Sequence, residues 1–475
     1  MLLLYSAVVT VCVCVRSVVS QPVSGCPSYG CTPTGSFSLL TPSGIPRSGV
    51  KVVWTAQLSN SSGTGSRLLG CVSNDRYVVC PSQNGYVGVD GDTGKVLWRD
   101  SSLVNPSLPI MDISGDIIGS DGRYLTKVDG DGTVEKPLIP LDPPMTPVFS
   151  LEFGDGNILL IVSQTGEVVA YLANGIPLAS LVLRGNVEMY NGIFHPIAQP
   201  IMRGSRAYIL TQFQPDPQDA AIPQEKIVRM QRLYSVDIRV SELERMRVVW
   251  SVNVGTGRAT FASDADSHDT DGGSENVLLY YHSTIYISLS GVDGRGGDCG
   301  AVSTLLAVRE DGSKGTIVHT SSYPPSNFAV YDDVTFCHDD NVQMPVVWVA
   351  QQRGSVISAL NPKTKSMFMN ITLNALLNVK HVRLSSRLMV HIDTADRFVL
   401  MLSLSIANTT ALMYSQHLVT LQGVLSSHKA PTVMWNTALP DSFMVEGQIS
   451  FVSASYETLV GTGRNMTGVY AFGFR

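Results

Sequence analysis

The chain has 475 residues, of which 44% are hydrophobic, 8% aromatic and only 15% charged, and its net charge is −6 at neutral pH. A charged share so far below the usual ~25% leaves material for a large core. The mildly acidic balance and the lack of any Lys- or Arg-rich run argue against a phosphate-binding face, and so against nucleic acid as a partner.

Residues 1–20 are apolar and contain no acidic side chain, and Val18 and Ser20 suit the small-residue rule at a leader cleavage site, so this stretch reads as a secretory signal. Arg16 lies between the apolar run and the cut, and no basic residue adjoins Met1; the position of cleavage is less well defined than export itself. The run from Leu2 to Val15 is short for a membrane span of ~20 residues, as is Phe398 to Ala407, so no span is expected in the mature chain. Lipid attachment is disfavoured because Val11 and Val13 precede Cys12 and Cys14. Residues 21–49 form an N-terminal extension, and 50–475 the folded body. The expected location is outside the cell or in the secretory lumen.

Six cysteines remain after the leader, an even number in an exported chain, which points to disulfides. Cys71 and Cys80 flank Val72 to Val79, and a two-residue loop at Asp75-Arg76 would set them opposite one another in a hairpin. Cys26 and Cys31 would close a small loop, leaving Cys299 for Cys337. Buried free thiols are the alternative, and six cysteines allow ~15 connectivities. Sequons at Asn60, Asn370, Asn408 and Asn465 would accept glycans in a eukaryotic secretory pathway.

In Gly85 to Trp98, strand formers Tyr86, Val87 and Val89 lead into the turn run Asp90-Gly-Asp-Thr-Gly94, and Lys95 to Trp98 resumes an extended pattern. This strand, Asp-turn and Trp-ended strand resembles the repeat of the PQQ-like (quinoprotein) β-propellers. The resemblance covers roughly Val50 to Arg475 and is densest in the first three units. It implies a ring of four-stranded blades in which such a Trp docks between neighbouring blades.

Further units follow. Asp116 to Ser120 and Tyr124 to Val128 precede the turn Asp129 to Thr133; Ile158 to Ser163 and Val168 to Leu172 precede Asn174-Gly175. A fourth unit runs from about Pro200 through Ala207 to Thr211, takes an insertion from Gln212 to Val228, and closes through Leu233 to Asp237 on Trp250. The fifth has Thr284 to Leu289, Leu305 to Val308 and the turn Glu310-Asp311-Gly312. The sixth has Val346 to Ala350, Val356 to Leu360 and Asn361 to Thr364; Lys365 stands where the pattern expects Gly, which predicts a different turn geometry. Leu388 to Ile392, Phe398 to Ser403 and Leu418 to Leu421 end at Trp435.

Gln448 to Ser453, Thr458 to Gly461 and Val469 to Phe474 are then three strands without an outer partner, and Val52-Val53-Trp54 is an outer strand without a blade. Joined, they complete an eighth four-stranded antiparallel blade and leave no open edge; seven blades are the alternative. Trp54, Trp98, Trp250 and Trp435 then occupy one equivalent, blade-docking position.

The architecture does not choose an activity, since the resembled family holds quinone-dependent alcohol dehydrogenases and non-catalytic binding propellers alike. In those enzymes PQQ lies in the central funnel beneath a disulfide of adjacent cysteines, with a calcium ion polarising it. This chain has no Cys-Cys pair and no Cys-x-x-Cys-His. No catalytic or cofactor-binding residue is assigned. Asp264, Asp266 and Glu275 have part of the carboxylate spacing of a calcium loop, but His268 and Asp269 stand where that loop needs an oxygen ligand and a Gly. His338, Asp339 and Asp340 read as a polar turn beside Cys337. The preferred reading is a secreted binding scaffold, with Gln212 to Val228, Ala259 to Asn276 and Gly291 to Gly300 as the surface for a protein or glycan ligand. The alternative is a divergent quinoprotein-type oxidoreductase using PQQ and calcium.

Overall fold

Runs such as Ile158–Ser163, apolar at almost every position and buried throughout, form strands covered on both faces, whereas the outermost strand of each sheet alternates. The computed structural model describes residues 25–38, 49–58 and, between gaps, 69–473; the wider intervals outside the described set are 1–24, 39–48, 59–68, 217–228, 257–276, 293–300 and 331–345.

The strands form eight antiparallel sheets among the described residues, the blades of a β-propeller. Blade 1 comprises Val72–Ser73, Tyr77–Ser82, Gly85–Asp90 and Val96–Asp100; blade 2, Ile110–Met111, Ile117–Ser120, Tyr124–Val128 and Ile139–Pro140; blade 3, Val148–Gly154, Ile158–Ser163, Glu167–Leu172 and Pro177–Val182. Blade 4 joins Ile201–Arg203, Arg206–Pro215, Met230–Ile238 and Met246–Thr256 to an extra hairpin, Arg184–Val187 and Tyr190–Pro196, that the sequence reading missed. Blade 5 comprises Val277–Tyr281, Thr284–Val292, Ala301–Glu310 and Gly315–Ser322; blade 6, Ser326–Ala329, Val347–Gln351, Val356–Leu360 and Met367–Thr372. Blade 7 is built on Arg397–Ala407, Ser415–Val424 and Thr432–Ala438, with His381–Leu384 and Met389–Ile392 both paired to the first of these.

Blade 8 is the clasp. Val445–Val452, Thr458–Gly463 and Gly468–Gly473 come from the C-terminal end, and Lys51–Gln57 pairs antiparallel with the last of them, Lys51 opposite Gly473 and Gln57 opposite Gly468. The first strands of blades 8, 1, 2, 3, 4, 5 and 6 are successive neighbours, so they form the inner wall. The apolar core lies in the seams between blades: Ile158, Leu160 and Val162 of blade 3 pack with Met202, Ile209 and Val236 of blade 4, and Trp54 and Ala471 pack with Val87 and Val89 of blade 1.

Each outer strand except that of blade 2 carries a bulge, and the residue there crosses the face of its neighbour. Trp54, Trp98, Trp250 and Trp435 hold this position, and the residues paired with them are small: Ala471, Gly88, Ser235 and Thr420. Ala179, His319 and Met369 take it in blades 3, 5 and 6, opposite Ala170, Ala307 and Ala359. Three of the Trp rings lie on the turn of the following blade. A β-carbon at Gly94 would fall 2.6 Å from the Trp54 ring, one at Gly132 2.4 Å from Trp98, and one at Gly315 2.6 Å from Trp250. The Trp54 indole N–H also donates to the Gly91 carbonyl at 2.9 Å. Trp435 is buried in the cluster that holds Phe472 and Ile449 of blade 8, whose third and fourth strands come from opposite ends of the chain and are not joined by a turn. Ile139 of blade 2 sits on Gly175 in the same way.

Gly94 has φ +72, so Gly94→Ala meets both a backbone penalty and the indole. The expected loss is about 3 kcal/mol of unfolding free energy by denaturant titration, against about 1–2 kcal/mol for Gly312→Ala, whose φ is also positive but whose β-carbon would meet nothing within 4 Å.

The expectation for Lys365 is overturned. Its φ is +63, its N–H donates to the Asn361 carbonyl at 2.8 Å, and Asn361 N–H donates to Ser366 O at 2.9 Å, the same pattern that Gly94, Asp90 and Lys95 make in blade 1. The geometry is kept and the residue absorbs the strain. With a side chain at this position the preceding blade offers His319 rather than Trp; burial and the Lys365 ammonium lower the His319 pKa.

Candidate functional site

Every strand pairing within the blades is antiparallel, so the connections alternate between two rims. Turns between first and second and between third and fourth strands lie on one rim, as at Asn74–Arg76 and Asp90–Gly94, where Gly91 N–H donates to Arg76 O at 2.8 Å. The other connections lie on the opposite rim. Pro215 and Met230, Thr256 and Val277, and Val292 and Ala301 all end there, bracketing the three insertions. Their inner bounds need correction: Gln212 to Pro215 continue a strand, with Gln212 2% exposed, and Gly291-Val292 belong to Thr284–Val292. The period-two pattern runs on through polar residues there, which is why the sequence reading stopped early.

The axis of the ring holds the chain's own segment 25–38, nearly all of it buried. Cys26 and Ser73 exchange backbone hydrogen bonds at 2.9 Å with blade 1, and Met111 N–H of blade 2 donates to Pro27 O at 2.9 Å. Met202 of blade 4 donates to Pro33 O at 2.7 Å, Tyr280 of blade 5 to Thr34 O at 3.0 Å, Val330, next to the first strand of blade 6, to Ser36 O at 2.8 Å, and Val390 of blade 7 to Phe37 O at 3.0 Å. Blade 8 contributes Gln448, whose Oε1 accepts from Gly30 N–H at 2.9 Å while its Nε2 donates to Ser28 O at 3.2 Å and Cys71 O at 2.8 Å. Seven of the eight inner edges, which would otherwise present unpaired groups, are thus met by one short peptide. Inside it, Thr32 Oγ1 lies 3.0 Å from Thr34 Oγ1 and 2.7 Å from Ser36 Oγ.

The segment is clasped by a disulfide between Cys26 and Cys31, with Cα atoms 4.1 Å apart, and the adjoining hairpin by one between Cys71 and Cys80, 4.5 Å apart. Val72 faces Val79 and Ser73 faces Val78, the register that puts these cysteines opposite. Cys299 and Cys337 lie outside the described residues. So do Asp264, Asp266, Glu275, His338, Asp339 and Asp340, and the sequons at Asn60, Asn408 and Asn465. Asn370 is exposed on the outer strand of blade 6. Among the described residues no group of three or more His, Cys, Asp or Glu is placed to hold a metal ion.

Around the plug stand polar groups that the sequence did not single out. The Arg387 guanidinium, nearly buried, donates to Asn327 Oδ1 and lies 5.7 Å from the Tyr29 ring centroid. Burial raises the Tyr29 pKa against the opposing pull of Arg387. At the blade 4–5 seam, Glu310 accepts from Arg206, from Tyr208 and, at 3.4 Å, from Trp250 Nε1. On blade 7, Ser415 Oγ lies 2.9 Å from His417 Nε2 and His417 Nδ1 2.7 Å from Asn436 Oδ1. That order resembles a nucleophile relay, but Ser415 and Asn436 are open to water and Ser415 also donates to Ile406 O at 3.2 Å.

Gln448→Ala leaves Gly30 N–H and the carbonyls of Ser28 and Cys71 without the partner they have now. The expected cost is about 3 kcal/mol in chemical denaturation, with faster exchange at the Gly30 amide.

No family model and no curated protein matches the chain. Solved structures do. Dihydro-heme d1 dehydrogenase NirN, in complex with DHE, aligns over 91% of this chain and 78% of its own at 10% identity and a TM-score of 0.51. BamB from Moraxella catarrhalis aligns over 89% of this chain and 99% of its own at 11% identity, TM-score 0.46, and the Dos1 propeller over 96% and 95% at 9%, TM-score 0.44. At these identities the likeness extends to the fold alone.

Proposed function

We propose that the protein is an exported binding scaffold of the PQQ-like, non-catalytic kind, whose recognition surface is the rim bearing the insertions of blades 4 and 5. One observation carries this reading: segment 25–38 fills the axis where the resembled enzymes hold their quinone, so the residues there do not fit that cofactor. Ligands then have the rims and the circumference. The two disulfides fit an oxidising compartment, and among the described residues no helix is long and apolar enough to cross a membrane. An exposed sequon at Asn370 fits the same setting.

Purified protein supplied with PQQ and Ca²⁺ should gain neither bound-cofactor absorbance nor dye-linked alcohol oxidation; either signal would overturn the scaffold reading. On a glycan array and against candidate secreted proteins, binding should disappear when 257–276 is replaced by a short Gly-Ser linker. It should persist when the opposite-rim turn 239–245 is altered.

A further inference from the structure

Segment 25–38 is held in the ring as a peptide ligand is held by its receptor. Cys26, Cys31, Tyr29 and Phe37 anchor it in the apolar core, while its other side chains are those of Gly, Pro, Ser and Thr, which bring little apolar area. Between the anchors the hold is through main chain. The N–H groups of Met111, Met202, Tyr280, Val330 and Val390, from five different blades, each donate to one of its carbonyls at 2.7 to 3.0 Å. Recognition of carbonyls by strand edges is indifferent to side-chain identity, as in strand addition. Size is what selects: a β-carbon at Gly25 would come within 2.6 Å of the Ser73 carbonyl oxygen, and one at Gly35 within 2.9 Å of the Leu278 carbonyl oxygen.

We propose that the axis is a peptide-binding site whose resident ligand is the chain's own N-terminal segment, and that the Cys26–Cys31 bridge keeps competing peptides out. The ligand class is a turn-rich, uncharged peptide of small residues that turns its carbonyls outward. The bridge acts by pre-forming the loop that enters blades 1, 2 and 8; closing a loop of this length in advance favours the seated state by roughly 40-fold. The proposal rests on the axis geometry and is independent of what the rim binds.

The test uses the full chain and its Cys26→Ser/Cys31→Ser variant, with a fluorescent synthetic peptide of residues 25–38, closed by its own disulfide, as probe. The variant should take up the probe, read as a rise in anisotropy reversed by unlabelled peptide, and wild type should not. Hydrogen exchange at the amides of Met111, Met202, Tyr280, Val330 and Val390 should quicken by roughly 40-fold in the variant, with the outer strands unchanged. Exclusion of the probe by the variant, or unchanged exchange at those amides, would overturn the proposal. Loss of cooperative melting in the variant would overturn it too, since the segment would then be part of the core and not a ligand.

Discussion

A chain lacking residues 445–475 should have no cooperative thermal transition. Those residues supply three of the four strands of blade 8, and their loss strips Lys51–Gln57 of its only strand partner among the described residues. It also uncovers two seams at once. Val469 and Ala471 leave the cluster around Trp54 and Val87, while Val445, Ile449 and Phe472 leave the one around Trp435 and Leu418. Burial of those five side chains amounts to roughly 10 kcal/mol, comparable with the whole stability of a domain. Gln448 goes with them, so the plug loses its link to blade 8. Circular dichroism melting of the truncated and full-length chains checks this; a sharp transition within a few degrees of the full-length midpoint would mean that the ring does not depend on its clasp.

The clasp was legible because both of its halves are written in the same code. Trp54 ends an orphan strand as Trp98, Trp250 and Trp435 end theirs, and the Asp-led turns of blades 1 and 2 each place a positive-φ glycine, Gly94 and Gly132, under the Trp of the preceding blade. Where that position is Lys365 the sequence misled, because the turn's hydrogen bonds, not the residue's preference, set its φ. The hairpin at 184–196 was missed for the same reason: Glu188 takes φ +54 at a turn with no Gly or Asn to announce it. The plug was invisible to any periodicity. Nothing in 25–38 alternates, and its burial is conferred by seven blades drawn from the rest of the chain. A local signal did exist. No charged residue occurs from Gln21 to Pro46, and Gly25, Gly30 and Gly35 recur at a spacing of five, each with positive φ. An uncharged stretch of small residues with a tight disulfide loop is what an axis of this width admits.

Glu152 should make the stability of this protein fall as pH rises through the mildly acidic range. It lies on the inner strand of blade 3, the one blade without a hydrogen bond to the plug among those described, and is 2% exposed. Alternation along Val148–Gly154 sends Leu151 into the blade 2–3 seam and Glu152 towards blade 4, where the neighbouring Gly154 abuts Met202. Its carboxyl meets the Phe153 N–H at 3.3 Å, and burial holds its pKa well above the ordinary carboxylate range, with that hydrogen bond only partly opposing. No charged group contributes to the shift. Because the folded pKa exceeds the unfolded one, no penalty arises below about pH 4.5, where both states carry the proton. Between the unfolded value and the raised folded value only the unfolded chain ionises, and stability declines by roughly 1.4 kcal/mol per pH unit until Glu152 itself ionises. Glu152→Gln removes this dependence. Urea titrations of both proteins from pH 4 to pH 8 should give nearly equal stabilities at pH 4, with the variant gaining steadily as pH rises and levelling off once the folded carboxyl ionises. A difference that stayed constant across the range would show that Glu152 is ionised and compensated in its place between blades 3 and 4.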